Sequence, residues 1–397
     1  MGVKKRVLIA GAGIGGLTAA LACLDKGLDV EVFEQTAQLG EVGAGVQISP
    51  TGLRVLFALG LKEQIESVWV LPQGREMLVW NTGYRASTPT LTSYLVERYG
   101  FANIYIHRAD LHDILVKAVR SKKPDAIHLN ARVRGFEQSE RSATVILEDG
   151  RTFSGDALIG ADGLHSRVRR QMFGETPAKF TGCISWRGIV PMDCLPEKDR
   201  LRGTQNWMAP NGHFVCYPIR RGQLINIVGH IERNDWQVES WIEKGSLAEI
   251  SADFAGWHEQ IQTLIRNIDT PYKWALFLRP PMKEWSVGRV TLLGDACHPT
   301  LPYLGFGANM AIEDGYVLAR CLQQHGDQVQ AALKRYAELR IPRTTEIVEA
   351  SGANQHRLHH PDLADPEKAS KYIDTESARQ LDLRDWLYSY DATSVAV

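Results

Sequence analysis

His213 and Tyr217 are the side chains whose types and spacing best suit acid–base chemistry on a small molecule. They lie four residues apart in an alternating segment, 213–218, that is typical of a β-strand. Side chains at positions i and i+4 of a strand point to the same face. An imidazole with an ordinary pKa of about 6.5 can accept a proton at neutral pH, and a tyrosine hydroxyl can hydrogen-bond to an anion. The pair predicts a base and an anchor, although a half-buried structural pair fits the pattern about equally well.

A glycine-rich loop near the start of the chain has the spacing of a phosphate-binding turn. The apolar run 7–10 is typical of a buried parallel strand, and residues 11–16 fit G-x-G-x-x-G. The first glycine permits the tight turn, the second lets the backbone approach a pyrophosphate, and the last lets the next helix pack closely. Free N–H groups at the start of that helix attract phosphate oxygens. The predicted phosphate-binding residues are Gly11, Gly13, Gly15 and Gly16.

An acidic residue follows the second predicted strand. The segment 29–33 is apolar at alternate positions and ends at Glu34, at the distance of roughly 20 residues that the dinucleotide-binding motif requires. A carboxylate there can accept both hydroxyls of an adenosine ribose, and Gln35 beside it is a further expected contact. The strand, loop, helix and acid together predict a dinucleotide site. The motif alone does not separate NAD from FAD.

Two further predicted strands end in small, acidic turns. Strand 157–160 leads to Asp162 and Gly163, and strand 290–293 leads to Gly294 and Asp295. Because the carboxyl ends of parallel strands meet at one edge of a sheet, these carboxylates are expected near the glycine loop. Taken one at a time, each aspartate also fits a turn or helix-capping role.

In this order the motifs resemble the single-component flavoprotein aromatic hydroxylases, the family of p-hydroxybenzoate and salicylate hydroxylases. The resemblance covers roughly residues 5–350. It implies that Asp295 binds the ribityl chain of FAD and that Asp162 and Gly163 lie between the FAD and nicotinamide sites. It also implies that Arg108 lies along the flavin. The other residues expected beside the cofactor are Gly45, Val46, Gln47, Pro302, Gly305, Gly307, Ala308 and Asn309.

The same resemblance implies the reaction. NADH or NADPH reduces FAD, O2 adds to give a flavin C4a-hydroperoxide, and this donates oxygen to an electron-rich ring. No second complete G-x-G-x-x-G occurs, so the nicotinamide is expected to visit without a dedicated Rossmann domain. The helix after Gly307 can stabilise negative charge on the flavin. The sequence does not choose between NADH and NADPH.

The substrate is expected to be a small phenolic acid. A His-x-x-x-Tyr pair at this place resembles 3-hydroxybenzoate 6-hydroxylases and 6-hydroxynicotinate hydroxylases, which implies that His213 is the base toward the ring hydroxyl. Those 3-hydroxybenzoate enzymes also carry a glutamine in the loop that corresponds to 300–304, and this chain has none. Residues 294–303 resemble salicylate-hydroxylase sequences instead, which favours a salicylate-like hydroxybenzoate. The open alternatives are 3-hydroxybenzoate 6-hydroxylase, 6-hydroxynicotinate 3-monooxygenase, a hydroxylase of a larger phenol or polyketide, and a non-catalytic flavin-binding protein.

The pattern predicts an α/β fold, with a Rossmann-like FAD-binding domain similar to that of p-hydroxybenzoate hydroxylase. A mostly antiparallel β-sheet substrate domain is inserted, and C-terminal helices follow. The tail contains His356, His359 and His360, but no paired carboxylate or ligand spacing accompanies them, so we expect an exposed, solvated tail and no metal site. The predicted division is 1–72, 97–178 and 278–350 for the FAD-binding domain, 73–96 and 179–277 for the substrate domain, and 351–397 for the helical tail.

Composition excludes several classes of partner. With a formal net charge of −1, the chain has no excess of positive charge that would attract nucleic acid or an anionic membrane. No apolar run approaches the ~20 residues that a membrane-spanning helix needs. The six cysteines contain no C-x-x-C pair, which favours a reduced, cytoplasmic setting. The oligomeric state stays open, and homodimers are common in the family that the chain resembles.

Overall fold

The helices and strands alternate through most of the chain, as expected for an α/β protein. The computed structural model describes residues 4–40, 44–88, 91–175, 177–236, 238, 243–379 and 385–397. The helices are α1 (Ile14–Asp25), α2 (Pro50–Ala58), α3 (Lys62–Glu66), α4 (Leu91–Tyr99), α5 (Arg108–Lys122), α6 (Arg167–Phe173), α7 (Leu247–Asp253), α8 (Glu259–Arg266), α9 (Gly307–Gln324), α10 (Val329–Leu358), α11 (Pro366–Arg379) and α12 (Asp385–Tyr388). The strands are β1 (Arg6–Ala10), β2 (Asp29–Phe33), β3 (Gly45–Ile48), β4 (Arg75–Val79), β5 (Arg85–Thr88), β6 (Ile104–His107), β7 (Ile127–His128), β8 (Val133–Gln138), β9 (Ala143–Leu147), β10 (Thr152–Gly155), β11 (Ala157–Gly160), β12 (Lys179–Pro191), β13 (Thr204–Ala209), β14 (Gly212–Ile219), β15 (Leu224–Glu232), β16 (Tyr272–Leu278), β17 (Ser286–Val287) and β18 (Val290–Leu292).

The first large sheet has the strand order β17-β18-β11-β1-β2-β7 and is parallel except at β17. Residues 7–10 of β1 are buried because the strand lies between β11 and β2 and because α1 covers one face of the sheet. Helix α1 itself packs against α5 and α9. The carboxyl ends of β1, β2, β11 and β18 share one edge, so the loops that follow them gather there.

The second large sheet has the order β16-β12-β15-β14-β13-β4-β5 and is antiparallel except where β13 pairs with β4. One face packs on α7 and α8 around a core that includes Trp186, Trp207 and Phe214. The other face carries the alternate, more polar side chains. Two smaller sheets complete the strand pairing, β10-β9-β8 and the pair β3-β6.

Each large sheet takes its strands mainly from the segments that were assigned to one of the two predicted domains. Strands β4, β5 and β12–β15 lie within 73–96 and 179–277, and β16 ends one residue beyond, at Leu278. Helix α4 continues across the predicted boundary at 96/97, and α10 continues across the one at 350/351. The division into domains stays a prediction, and the structure places these two boundaries inside helices and the one at 277/278 inside β16.

The segment after residue 351 is helical but packs against the second sheet, so the prediction of an exposed, solvated tail is wrong. Leu358, Leu363, Ala369 and Ile373 are buried in one cluster with Met77 of β4. The apolar residues of this segment are sparse along the sequence. Spacing by i, i+4 nevertheless places Ala369 and Ile373 on one face of α11, and that face supplies the contact. Across the described ranges, no helix combines the length and apolar composition needed to cross a membrane.

Candidate active site

The glycine loop after β1 has the geometry of a phosphate cradle. Gly11 has a φ of +105°, and a Cβ there would overlap the carbonyl oxygen of Ala161. A Cβ on Gly16 would overlap the carbonyl oxygen of Gly11, so α1 packs directly on the turn. A Cβ on Gly13 would meet no atom of the described residues within 4 Å. The loop therefore keeps open space where the pyrophosphate of a dinucleotide is expected.

Glu34 supports this loop from the end of β2. Its carboxylate accepts hydrogen bonds from the backbone N–H groups of Ala12, at 2.9 Å, and Thr36, at 3.0 Å. These bonds hold the acid beside the turn, where the adenosine ribose is expected. Gln35 is exposed. Contact of Glu34 and Gln35 with the cofactor stays a prediction.

Asp162 caps a helix. Its carboxylate accepts hydrogen bonds from the hydroxyl of Ser166, at 2.5 Å, and from the backbone N–H groups of Arg167 and Val168, at 2.8 Å and 3.3 Å. These bonds satisfy the start of α6, which is the capping alternative that the sequence left open. Gly163 next to it has a φ of +74° and borders the central cavity. A contact of Asp162 with FAD stays a prediction.

A cavity of about 350 Å³ lies between the edge of the first sheet and the polar face of the second. Most of the residues singled out in the sequence border it, although they come from distant parts of the chain. Those bordering it are Gly13, Gly15, Gly16, Gly45, Val46, Gln47, Arg108, Gly163, His213, Tyr217, Asp295, Pro302, Gly305, Gly307 and Ala308. The residues that do not line it are Gly11, Glu34, Gln35, Asp162 and Asn309.

Arg108 provides positive charge on the first-sheet side of the cavity. It begins α5 directly after β6, whose partner β3 carries Gln47. Burial lowers the pKa of Arg108, and the Asp295 carboxylate opposes that shift. An arginine stays protonated under such a shift, so the wall presents a fixed cation and an anion together. Such a pair can bind the hydroxyls and carbonyls of a flavin.

Asn309 acts by positioning the start of α9. Its Nδ2 donates to the backbone carbonyls of Gln47, at 3.1 Å, and Gly305, at 3.3 Å, and the side chain is buried. These bonds tie the loop to β3 and leave Gly307 and Ala308 at the cavity. The free N–H groups of the first turn of an 18-residue helix then lie beside the cavity.

One face of the second sheet forms the opposite wall. In β14, His213, Val215 and Tyr217 border the cavity, whereas Phe214 and Cys216 enter the apolar core behind it. His213 and Tyr217 therefore share a face, as their spacing predicts.

His213 is a buried imidazole with a polar partner that the sequence did not reveal. Its Nδ1 lies 2.7 Å from Nε2 of His359, and Nδ1 of His359 lies 2.7 Å from Oε1 of Glu232. Burial, and then the neighbouring His230 and His359, hold the pKa of His213 well below its ordinary value. His213 is therefore neutral at neutral pH. His359 and Glu232 are 146 and 127 residues from their partners, so no local pattern could connect them.

Tyr217 is packed closely at the β3 side of the cavity. Its ring centroid lies 4.8 Å from that of Tyr105, and a Cβ on Gly45 would lie 2.8 Å from its hydroxyl. Burial raises the pKa of Tyr217, which keeps the hydroxyl protonated and able to donate. Its role as an anchor stays a prediction.

Arg187 is a cation on the same wall. Its guanidinium carbon lies 4.3 Å from the centroid of the Trp274 ring, a cation–π contact, and both residues border the cavity. Burial lowers the pKa of Arg187 to about 10, so it is still charged at neutral pH. The structure therefore places the charge of Arg187 at the cavity.

Two polar atoms on this wall have no hydrogen-bond partner among the described residues. Within the part of the chain that the structure describes, neither Oδ1 of Asn206 nor Nδ1 of His230 has a hydrogen-bond partner, and both residues border the cavity. Buried polar atoms of this kind are normally satisfied, so a polar ligand is expected to bind them. Neither residue belongs to a recognisable motif, and sequence analysis missed both.

A network of buried ion pairs lies behind the loop that carries Asp295. Arg340 pairs with Glu313 at 2.8 Å and with Asp314 at 2.7 Å, and all three side chains are fully buried. His298 contacts Asp314 at 2.5 Å. His298 is therefore buried in this network and does not border the cavity.

The chain is similar to FAD-dependent enzymes along almost its whole length. The family profile described as "FAD binding domain" matches residues 4–351. A 3-amino-4-hydroxybenzoate 2-monooxygenase of Streptomyces platensis is 35% identical over 392 residues, which cover 99% of this chain and 98% of the relative. The 3-hydroxybenzoate 6-hydroxylase of Polaromonas naphthalenivorans is 34% identical over 386 residues, with 97% and 96% covered.

The chain belongs to the family of FAD-dependent aromatic hydroxylases. Its fold agrees with solved structures. The crystal structure of Klebsiella pneumoniae HpxO complexed with FAD and uric acid matches with a TM-score of 0.84 and 25% identity, over 97% of this chain and 96% of that one. The resemblance and the fold class predicted from the sequence are thus confirmed.

The cavity of this hydroxylase fits FAD. The open space at Gly13 and the start of α1 suit the pyrophosphate, and Arg108 with Asp295 suits the polar groups of the flavin. Glu34 lies at the end of β2, as the adenosine ribose requires. The residues that would hold each part of the cofactor are therefore present and gathered at one edge of the sheet.

Substituting Gly13 is expected to remove FAD binding without unfolding the hydroxylase. In Gly13→Ala the new methyl group has no atom of the described residues within 4 Å and points into the space expected for phosphate, so FAD affinity should fall at least about tenfold. The apoprotein should lose less than about 1 kcal/mol of stability, because the position is a helix N-cap with extended backbone. Flavin fluorescence titration and urea unfolding measure the two quantities. Gly11→Ala is the contrasting variant, because its methyl group would overlap the carbonyl oxygen of Ala161 and should destabilise the fold. Equal destabilisation by the two substitutions would contradict the assignment of Gly13 to the phosphate site.

Proposed function

We propose that this hydroxylase uses NADH or NADPH and O2 to add a hydroxyl group to a small phenolic aromatic acid. The proposal rests on two side chains that border the same wall of a cavity of about 350 Å³. His213 is a neutral base, and Arg187 is a cation. A phenol needs the first group and a carboxylate needs the second.

Each residue has a separate task in this proposal. Bound FAD, once reduced, supplies the activated oxygen. His213 accepts the phenol proton, which raises the electron density of the ring. Arg187 binds the carboxylate, and Tyr217 donates a hydrogen bond to an oxygen of the substrate.

The substrate is a hydroxybenzoate-type acid in this proposal. The two relatives described above are named for 3-amino-4-hydroxybenzoate and for 3-hydroxybenzoate, which supports a benzoate with a free phenol. The loop 300–304 favours salicylate within that class. Decarboxylative hydroxylation of salicylate would yield catechol, whereas the other acids would yield ring-hydroxylated acids.

The test is a panel of acids assayed with the purified flavoprotein. Oxidation of NADH and of NADPH would be followed with salicylate, 3-hydroxybenzoate, 4-hydroxybenzoate, 3-amino-4-hydroxybenzoate and 6-hydroxynicotinate, with products identified by mass spectrometry. We expect one acid to stimulate oxidation and to appear as its hydroxylated product. Stimulation only by bulky neutral phenols would refute the small-acid proposal. A flavoprotein that no aromatic compound stimulates would indicate a non-catalytic role.

Arg187→Met is expected to weaken binding of the acid about 10- to 100-fold. A hydrogen bond to a charged group contributes about 1.5–3 kcal/mol, and the methionine preserves most of the apolar contact with Trp274. The KM of the acid should rise, while a phenol that lacks the carboxylate should be unaffected. Arg141→Met, at an exposed position, is the matched control. An unchanged KM for the acid would remove Arg187 from the proposed site.

A further inference from the structure

Three ionisable side chains form a hydrogen-bonded row from the cavity to the surface. His213 is 2% exposed and borders the cavity. His359 lies behind it, and Glu232, at the end of β15, has a side chain that is 43% exposed. The two hydrogen bonds of the row are each 2.7 Å long. The row thus links the proposed base to solvent at the end of β15, on the same face of the sheet as the cavity.

We propose that His359 and Glu232 form a proton relay that carries the phenol proton from His213 to the protein surface. The proposal rests on the function proposed above and adds two residues to it. His359 lies beyond residue 351, outside the region that the family profile matches. Both are positioning residues, because only His213 borders the cavity.

The hydrogen bonds define the direction of the relay. No described group hydrogen-bonds to Nε2 of His213, so this nitrogen is free to accept a proton from a substrate. A neutral imidazole that accepts at Nε2 carries its own proton on Nδ1, and this Nδ1–H donates to Nε2 of His359. His359 then carries its proton on Nδ1 and donates it to the Glu232 carboxylate. One set of ring protons therefore satisfies both bonds.

The proton and charge balance follows from this arrangement. The phenol O–H bond breaks and Nε2 of His213 gains the proton, while Nδ1 of His213 passes its own proton to Nε2 of His359. The products are a phenolate, a neutral His213 and an imidazolium at His359, which is paired with the Glu232 carboxylate. Glu232 is exposed enough to exchange the excess proton with water.

The surroundings favour charge at the outer end of the row. Burial disfavours an imidazolium at His213, and the His230 ring at 4.4 Å adds to this. The hydrogen bond from His359 holds the pKa of Glu232 below its ordinary value, so a carboxylate faces His359 at neutral pH. The titratable and charged groups around the two imidazoles are Cys183 from β12, His230 and Glu232 from β15, Tyr303 from the loop before α9, and His356 and Arg357 from α10.

The test measures ionisation of a bound phenol, independently of turnover. The probe is 3-amino-4-hydroxybenzoate bound to the oxidised holoenzyme, and ultraviolet difference spectra give its phenolate-to-phenol ratio from pH 5 to 9. In His359→Asn and in Glu232→Gln we expect this ratio near neutrality to fall about tenfold. In turnover the kcat should fall and its pH profile shift, with little change in KM.

His360→Asn is the matched control. It makes the same change one residue away, on a side chain that is 39% exposed and that lies outside the row. The relay would be overturned if His359→Asn and Glu232→Gln had the same phenolate-to-phenol ratio and the same pH profile as this control. Lower stability or FAD content with an unshifted pH profile would likewise reduce His359 to a structural residue.

Failure of the probe to bind the wild-type protein would count against the proposed function and not against the relay. Nitrogen NMR of holoenzyme labelled with ¹⁵N-histidine then tests the row directly. We expect His213 to carry its proton on Nδ1, and the Nδ1 resonance of His359 to shift in Glu232→Gln, because its hydrogen bond to a carboxylate becomes one to a neutral amide. A His213 protonated on Nε2, or a His359 Nδ1 resonance that is unchanged in Glu232→Gln, would overturn the relay.

Discussion

Replacing His213 with alanine is expected to lower the rate of hydroxylation about 10²- to 10⁴-fold, the range typical for loss of a general base. His213 lies on the second-sheet wall, opposite the glycine loop, so FAD should stay bound. NAD(P)H oxidation should continue in part and yield hydrogen peroxide in place of hydroxylated product, because a phenol that keeps its proton is a poorer oxygen acceptor. The ratio of product to NAD(P)H consumed measures the uncoupling. The flavin absorbance spectrum measures how much FAD stays bound.

The result distinguishes a base from a wall residue. His213→Gln retains polarity and much of the volume but cannot accept the proton, so it should uncouple the reaction as strongly as the alanine variant. Recovery by the glutamine variant would assign His213 a packing role. If both variants kept the wild-type ratio of product to NAD(P)H consumed, the role of His213 as a base would be refuted. Salicylate, whose phenol is activated by the ortho carboxylate, should show a smaller loss than 3-hydroxybenzoate.

The second large effect is expected in the buried ion-pair network. Arg340→Met leaves the buried carboxylates of Glu313 and Asp314 without their shared partner, and removing one member of such a pair costs about 3–5 kcal/mol of stability. Urea unfolding of the holoenzyme measures it. Lys334→Met, on a side chain that is 79% exposed, is the control and should change stability by less than about 0.5 kcal/mol. Equal losses in the two variants would contradict the role of the network.

The pH dependence of this effect has a definite sign. Burial alone would raise the pKa of Asp314, but His298 and Arg340 outweigh it, so the pKa lies below its ordinary value in the wild type. Such a carboxylate contributes stability above its unfolded pKa and loses that contribution as the pH falls through the folded pKa. Without Arg340 the carboxyl pKa rises, so protonation relieves the unpaired charge. The difference between Arg340→Met and wild type should therefore be greatest near pH 7 and shrink toward pH 5.

Local sequence specified much of the first sheet and its cofactor loop. The G-x-G-x-x-G spacing, an apolar strand before it and Glu34 after the next strand depend on contacts within about 30 residues of chain, which a linear pattern records. The strand period also placed His213 and Tyr217 on one face. Asn309, which was expected beside the cofactor, does not border the cavity, and its side chain ties two segments together, a role that its position in the chain does not reveal.

Contacts between distant parts of the chain determined the features of the site that local patterns did not predict. The three histidines after residue 351 were expected to be solvated, because sequence patterns average over local polarity. Burial of His359 against His213 results from the docking of α10 on the second sheet, across 146 residues of intervening chain. Contacts of that separation depend on how whole elements pack, so the family and its FAD could be inferred from sequence. The hydrogen bonds that join His213 to His359 and His359 to Glu232 could be seen only in the folded chain.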